Sequence, residues 1–319
     1  MRAIVCNTYG VLELEEVEKP DLTDDGVLVR VRAASVNPAD RYATMGTPYV
    51  ARPMMGLRKP KDNSVRIDFA GTLEAVGRDV TEFRPGDEVF GRSEAFAEHV
   101  CVPADGALAL KPANLTFEQA AAVPVAALTA LQALRDKGQL QPGQKVLING
   151  ASGGVGTFAV QIAKALGAEV TGVCSTRNVD LVRSLGADHV IDYTQDDFTR
   201  SGRRYDLMLD IAGSRSWSAC RRVLDPQATL VIVGAPKGNR LLGPLSHMVR
   251  ILLAALRSSQ KAVFFIAKIN KEDLVVLREL LEAGKVTPVI DRCYELSDIA
   301  DAFRYLGEGH AQGKVVLTV

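Results

Sequence analysis

Residues 145–156, Lys-Val-Leu-Ile-Asn-Gly-Ala-Ser-Gly-Gly-Val-Gly, constrain the fold of this chain more than any other stretch. A short apolar strand runs straight into a glycine-rich turn. Gly153, Gly154 and Gly156 then open a helix ending near Leu166, and Gly167 precedes a second strand at Glu169–Val173. Strand, turn, helix and strand in that order suit a dinucleotide. The glycines let the backbone approach a pyrophosphate, and the unpaired N–H groups at the helix N-terminus hold it. Ala151, Ser152, Gly153, Gly154, Val155 and Gly156 are therefore the expected phosphate contacts. The competing reading is a tight loop in any α/β protein, and the flanking strand and helix weigh against it.

The second strand narrows the cofactor. A site for NADH normally ends that strand with Asp or Glu, which binds the ribose 2′-OH. Here the stretch is Cys174-Ser175-Thr176-Arg177-Asn178, without an acid. The hydroxyl of Ser175 and the guanidinium of Arg177 suit a 2′-phosphate, so NADPH is expected over NADH. Read otherwise, Ser175 is a helix cap and Arg177 a solvated charge.

At 319 residues the chain is long enough for two domains. Its 38 basic and 38 acidic residues cancel, so no global field recruits nucleic acid or an anionic membrane. The five cysteines are scattered without a Cys-x-x-Cys pair, and the four histidines show no metal spacing, so no metal site is expected. This fits a reducing compartment, and a cytoplasmic protein is expected. The start of the chain is strand-like and lacks the charged-then-apolar pattern of a signal peptide. The most apolar run, Leu241 to Leu256, is interrupted by Gly243-Pro244, His247 and Arg250 and is too short to span a bilayer. It reads as core packing or as a helix over an apolar pocket.

Up to about residue 110 the pattern is of short strands: Ala3–Val5, Val27–Ala34, Phe69–Val76, Glu88–Phe90 and Ala97–Val102, punctuated by Gly71, Gly77, Pro85-Gly86 and Gly91. They predict a partly closed, mostly antiparallel β unit. Helices follow at Phe117–Ala122 and Ala126–Lys137. Strands then alternate with helices at Val146–Asn149, Glu169–Val173, His189–Ile191, Leu207–Ile211, Thr229–Gly234 and Ala262–Ile266, which predicts a parallel sheet covered on both faces. The last segment, a helix at Lys271–Ala283, a strand near Val289–Glu295, a helix at Ser297–Leu306 and a strand at Lys314–Val319, is too small for its own core. It is expected to return to the first domain. The expected division is 1–118, 119–267 and 268–319.

Several unrelated motifs in order carry a resemblance. They are Ser35-Val36-Asn37-Pro38-Ala39-Asp40, Ala70-Gly71 leading to Val76-Gly77, Pro85-Gly86-Asp87-Glu88-Val89-Phe90-Gly91, Val123-Pro124, Ala127-Leu128-Thr129-Ala130, the glycine turn, Gly186-Ala187-Asp188-His189-Val190-Ile191-Asp192-Tyr193, and Gly313-Lys314-Val315-Val316. Together they resemble the zinc-free, quinone oxidoreductase branch of the medium-chain dehydrogenase/reductase superfamily over essentially the whole chain. The resemblance implies an α/β protein with a GroES-like, partly closed β-barrel catalytic domain and a doubly wound Rossmann domain, with NADPH in the cleft between them. Zinc-dependent relatives carry an early Cys ligand and a Gly-His-Glu run. Here those positions fall near Asn37 and at Ile67-Asp68-Phe69-Ala70-Gly71. Without that Lewis acid, zinc-assisted alcohol oxidation loses its main device. The first glycine of the Gly-x-Gly-x-x-Gly pattern is Ala151, a form familiar in the zinc-free branch.

The resemblance also implies an enzyme that passes hydride from NADPH to a small electrophile, a quinone or an activated C=C bond such as an enone or enal. Tyr42 is the expected donor to the developing oxyanion, since similar enzymes place a tyrosine there facing the nicotinamide. Asn37 would hold a ribose hydroxyl or the substrate oxygen, and Asp40 would orient its neighbours. As plain structure, Asn37-Pro38 is a turn initiator, Asp40 a helix cap and Tyr42 a packing aromatic. Cofactor contacts implied in the same way are Thr129, Tyr193, Gly213, Gly234, the backbone of Phe264, Phe265 and Ile266, and Lys314. Their bland readings are a backbone-bonded threonine, a packing tyrosine, turn glycines, an apolar strand and a solvated lysine. A homodimer through Ala262–Ile266 is implied too. The alternatives are an enoyl-thioester reductase, for which Arg52, Arg58, Lys59 and Lys61 would form a basic pocket mouth, and a non-catalytic NADPH-binding protein that regulates a partner or binds RNA. Neutral net charge weighs against RNA.

Overall fold

The computed structural model describes residues 1–234, 241–242, 245–256 and 258–319. Gly243-Pro244, invoked above as a helix break, lie outside the described residues. The chain forms two compact units, Met1–Leu128 with Ile269–Val319, and Thr129–Lys268.

The first unit is a β unit. The strand Gly26–Val36 is its spine, pairing antiparallel with Ile67–Val76, His99–Pro103 and Lys314–Thr318. Ile67–Val76 pairs onward with Glu88–Ser93, and that strand with Leu108–Leu110. Ile290–Glu295 adds parallel to Lys314–Thr318, so the last segment of the chain extends the sheet that the first segment begins. A second, three-stranded sheet orders Val11–Glu16, Arg2–Thr8 and Phe96–Ala97. Ile4, Val27, Val29, Ile67, Phe69, Phe96, Leu108, Phe303, Val315 and Leu317 form the core.

The sequence reading missed two strands here. Val11–Glu16 alternates its leucines with glutamates and is joined to Arg2–Thr8 by a turn in which Gly10 takes φ +84. Leu108–Leu110 is only three residues long.

The second unit holds a six-stranded, all-parallel sheet. Its order is His189–Asp192, Glu169–Cys174, Lys145–Asn149, Tyr205–Asp210, Leu224–Ile232, Lys261–Phe264. Numbered along the chain this is 3-2-1-4-5-6, the doubly wound order whose ligands bind where the strand order reverses, outside the carboxyl ends of the strands. The reversal lies between Lys145–Asn149 and Tyr205–Asp210.

Three elements here differ in extent from expectation. Leu224–Ile232 starts five residues early, through a register irregularity opposite Tyr205–Leu207, and ends at Ile232. The edge strand stops at Phe264, opposite Ile232, beyond which the Val233 and Gly234 N–H groups turn to the Asp210 carbonyl, so Phe265 and Ile266 lie past the strand. The expected helix Ala126–Lys137 is an α-helix at Pro124–Gln132 that loosens into a π turn at Ala133–Lys137.

Candidate functional site

At the switch point the glycine turn is built by the absence of side chains. Gly150, with φ +93, makes the reversal, which is why Ala151 is tolerated at the first motif position. A Cβ on Gly156 would sit 2.1 Å from the Gly150 carbonyl oxygen and 2.7 Å from the Ala151 carbonyl carbon, so helix and strand approach as closely as they do only with glycine there. Gly234 is held in the same way, its Cβ position 2.0 Å from the Ile211 oxygen. The helix Gly154–Ala165 begins at Gly153 with no side-chain cap. Its first N–H groups and the positive end of its dipole are therefore left for an anion.

Asn178 braces this turn from the neighbouring loop. Its Nδ2 donates to Ser152 Oγ at 2.9 Å and to Ser175 Oγ at 3.2 Å, tying the glycine turn to the segment expected to choose the cofactor. Sequence reading passed over Asn178, and only the structure shows its amide buried and joined to both segments. Arg177 is exposed and Ser175 half-buried. Asp192, on the next strand, accepts from Thr176 Oγ1 at 2.6 Å, from the Thr194 N–H and hydroxyl, and from Gln195. At the reversal itself, Asn149 Nδ2 donates to Asp210 Oδ1 at 2.8 Å, and the Gly213 N–H donates to the same oxygen at 2.9 Å. Burial raises the Asp210 pKa, with those two donors working against the rise. Tyr193 is half-exposed, Thr129 half-buried and Ile266 almost fully exposed.

In the other unit, five side chains from four separated segments close into a buried ionic network. Asn37 precedes the helix Pro38–Thr44 without capping it. Instead its Nδ2 donates to Asp40 Oδ2 at 3.1 Å and to Asp68 Oδ2 at 3.0 Å, and its Oδ1 accepts from Lys314 Nζ at 2.6 Å. Arg92 donates to Asp40 Oδ1 at 2.6 Å and to Asp68 Oδ1 at 3.0 Å. The Val125 N–H adds a bond to Asp68 Oδ2 at 3.1 Å, and Lys314 also donates to the Val36 carbonyl at 3.3 Å. Two carboxylates thus face two cations out of water: Asp68 is 0 % exposed, Lys314 3 % and Asp40 4 %.

Burial pushes Asp40 above the ordinary carboxylate range while Arg92 pulls it back. Burial opposes the Arg92 charge, but Asp68 and Asp40 more than offset it and the Arg92 pKa is raised. Burial lowers Lys314, and the same two carboxylates resist.

The structure therefore brings together three expected residues, Asn37, Asp40 and Lys314, in a different role from the bland readings: Asp40 is not a cap and Lys314 is not solvated. It adds two that were not named as site residues, Asp68 and Arg92. Tyr42 is half-buried on the helix that carries Asp40. A cavity of about 300 Å³ lies beside this helix, lined by Cys6, Asp40, Thr44, Met55, Lys61 and Arg66 among others, and Tyr42 is not part of its wall. Arg52 is stacked between Tyr9 (4.7 Å) and Tyr49 (4.3 Å), so it is part of a packed aromatic cluster rather than a loose basic rim.

Asn37 and Asp68 of this network lie where the resemblance puts the ligands of zinc-dependent relatives, and the chemistry here does not fit the metal. Zinc takes thiolate, imidazole or carboxylate donors with lone pairs to give. Here the carboxylates give theirs to Arg92, Asn37 and Val125, and Lys314 and Arg92 are cations. Among the described residues no group of three or more His, Cys, Asp or Glu is placed to hold a metal ion.

A family model of the alcohol dehydrogenase GroES-like domain matches residues 23–172, and one described as zinc-binding dehydrogenase matches residues 185–317. The chain is 36% identical to the mitochondrial NAD(P)H oxidoreductase RTN4IP1 of Homo sapiens, over 92% of this chain and 81% of that protein. It is 33% identical to the 2-methylene-furan-3-one reductase of Solanum lycopersicum, over 99% and 79%. Among solved structures, the quinone oxidoreductase from Coxiella burnetii superposes with a TM-score of 0.87 at 31% identity, covering 100% of this chain and 99% of that one.

Proposed function

The chain belongs to the zinc-independent, quinone oxidoreductase-like branch of the medium-chain dehydrogenase/reductase superfamily and is an oxidoreductase; from that premise we propose that it is an NADPH-dependent, metal-free reductase of quinones or of C=C bonds conjugated to a carbonyl. The observation that carries the cofactor half of this reading is the uncapped glycine N-terminus of Gly154–Ala165 braced through Asn178 to a segment holding Ser175 and Arg177 and no acid. When bound, NADPH supplies the hydride, and the protein's share is binding, orientation and electrostatics. The free N–H groups after Gly153 would hold the pyrophosphate, and Ser175 with Arg177 would take the 2′-phosphate. Thr129, Tyr193, Gly213 and Gly234 are proposed as further contacts.

Where acceptor oxygen gains negative charge, a donor must meet it. Tyr42 is the proposed donor. Asn37 and Asp40, fixed by the network, hold the start of its helix in place.

Steady-state reduction of 1,4-benzoquinone and of small enones, followed through the absorbance of the reduced nicotinamide, tests this. NADPH is expected to outperform NADH at least about ten-fold in kcat/KM. Arg177→Ala should remove most of that margin by losing a charge-assisted bond, a change of about ten-fold to a hundred-fold confined to NADPH. Equal use of the two cofactors by the unaltered protein contradicts the reading. Tyr42→Phe should lower kcat about a hundred-fold while the NADPH Kd holds; an unchanged kcat removes Tyr42 as the donor.

A further inference from the structure

Net charge of zero conceals an uneven layout. From Pro226 to Asn270 the sequence has no Asp or Glu, and Lys237, Arg240, Arg250, Arg257, Lys261 and Lys268 all fall within it. The helix Leu245–Ala255 lies in the middle of that stretch. It is seated through Met248, Ile251 and Ala255, which are buried with Trp217, Cys220 and Ile232 in the core of its unit. Its other side is apolar as well. Leu245, Val249 and Leu253, spaced four residues apart and so on one face, are 42%, 51% and 61% exposed, and Leu256 continues the row at 79%. Leu241 and Leu242 precede it, both exposed. Arg250 is exposed on the same helix, and Lys261 is exposed on the edge strand against which the helix packs. Single exposed leucines are ordinary, but a contiguous row of them marks a contact surface.

We propose that this helix face docks on an anionic lipid surface, its leucine row entering the headgroup–acyl boundary while Arg250 and Lys261 meet the lipid phosphates. Apolar residues beside basic ones, with no acid in the stretch, are the composition of an interfacial helix. The mode is lying on rather than crossing, since no described helix is long and apolar enough to cross a membrane. The global charge balance, which argued against a membrane, averages this patch with acidic surface elsewhere in the chain.

Sedimentation of the full chain with phosphatidylcholine vesicles, with and without phosphatidylglycerol, tests the proposal. Binding is expected to require phosphatidylglycerol and to fall as salt is raised. Val249→Asp with Leu253→Asp should weaken it about ten-fold or more, and Arg250→Ala about five-fold. All three side chains are exposed, so the circular dichroism melt and the NADPH Kd should stay as in the unaltered protein. Equal sedimentation with pure phosphatidylcholine, or undiminished binding by the double variant, overturns the proposal. So does a dimer that the double variant turns into a monomer while vesicles bind neither form.

Discussion

The two sites of this protein are built by opposite means. The glycine turn works because side chains are missing: Gly150 reverses, Gly156 admits a carbonyl at a distance no Cβ tolerates, and Gly153 leaves a helix end uncapped. The network of Asn37, Asp40, Asp68, Arg92 and Lys314 works because side chains are crowded together and mutually satisfied. The first site is open to a ligand by construction. The second is closed by construction, since its members use up the donors and acceptors that a metal ion would need. One leaves helix N–H groups uncapped, and the other pairs its fixed charges with one another.

Removing one partner breaks that contrast most severely on the network side. Asp68→Ala would leave Arg92 and Lys314 buried with a single carboxylate, at a cost of about 3–5 kcal/mol in denaturant unfolding. A loss under about 1 kcal/mol would mean that water already reaches the network. On the glycine side, Gly156→Ala should strain the backbone by about 1–3 kcal/mol and weaken NADPH binding, measured by calorimetry, with little effect on the network's unit. An unchanged Kd would show that the turn tolerates a Cβ and is not the close approach described. The smallest effect is a slope. Burial depresses the Lys314 pKa below its ordinary 10.5, so the unfolded chain binds that proton more tightly. Stability from this group therefore rises with pH between the folded value and 10.5 and is lower below that window. Lys314→Met should flatten that rise in a pH series of melts, whatever its effect on absolute stability.

The same contrast explains what could be read in advance. A glycine requirement is local, so strand, turn and helix around Gly153–Gly156 were legible, as was the alternation that becomes the 3-2-1-4-5-6 sheet. The network is assembled from segments far apart in sequence, and no local spacing announces it. Asp68 sits in the apolar run Ile67-Asp68-Phe69-Ala70, where an isolated acid was the one available hint. Arg92, flanked by Gly91 and Ser93 in its strand, gave none. Lys314 was expected near the cofactor by resemblance, with a solvated lysine as the competing reading, and neither announced its place beside Asn37, to which the pairing of its strand with Gly26–Val36 carries it. Phe265 and Ile266 were read as strand because they are apolar, but the ladder ends at Phe264, where the Val233 and Gly234 N–H groups turn to Asp210.

The central claim is that fixed charges occupy the place of a catalytic metal in a working reductase. The direct measurement is turnover of NADPH with 1,4-benzoquinone before and after exhaustive chelation, with metal content determined on the same samples. The account predicts undiminished turnover at negligible zinc content and no gain when zinc is added back. Activity that disappears with chelation and returns with zinc would contradict it.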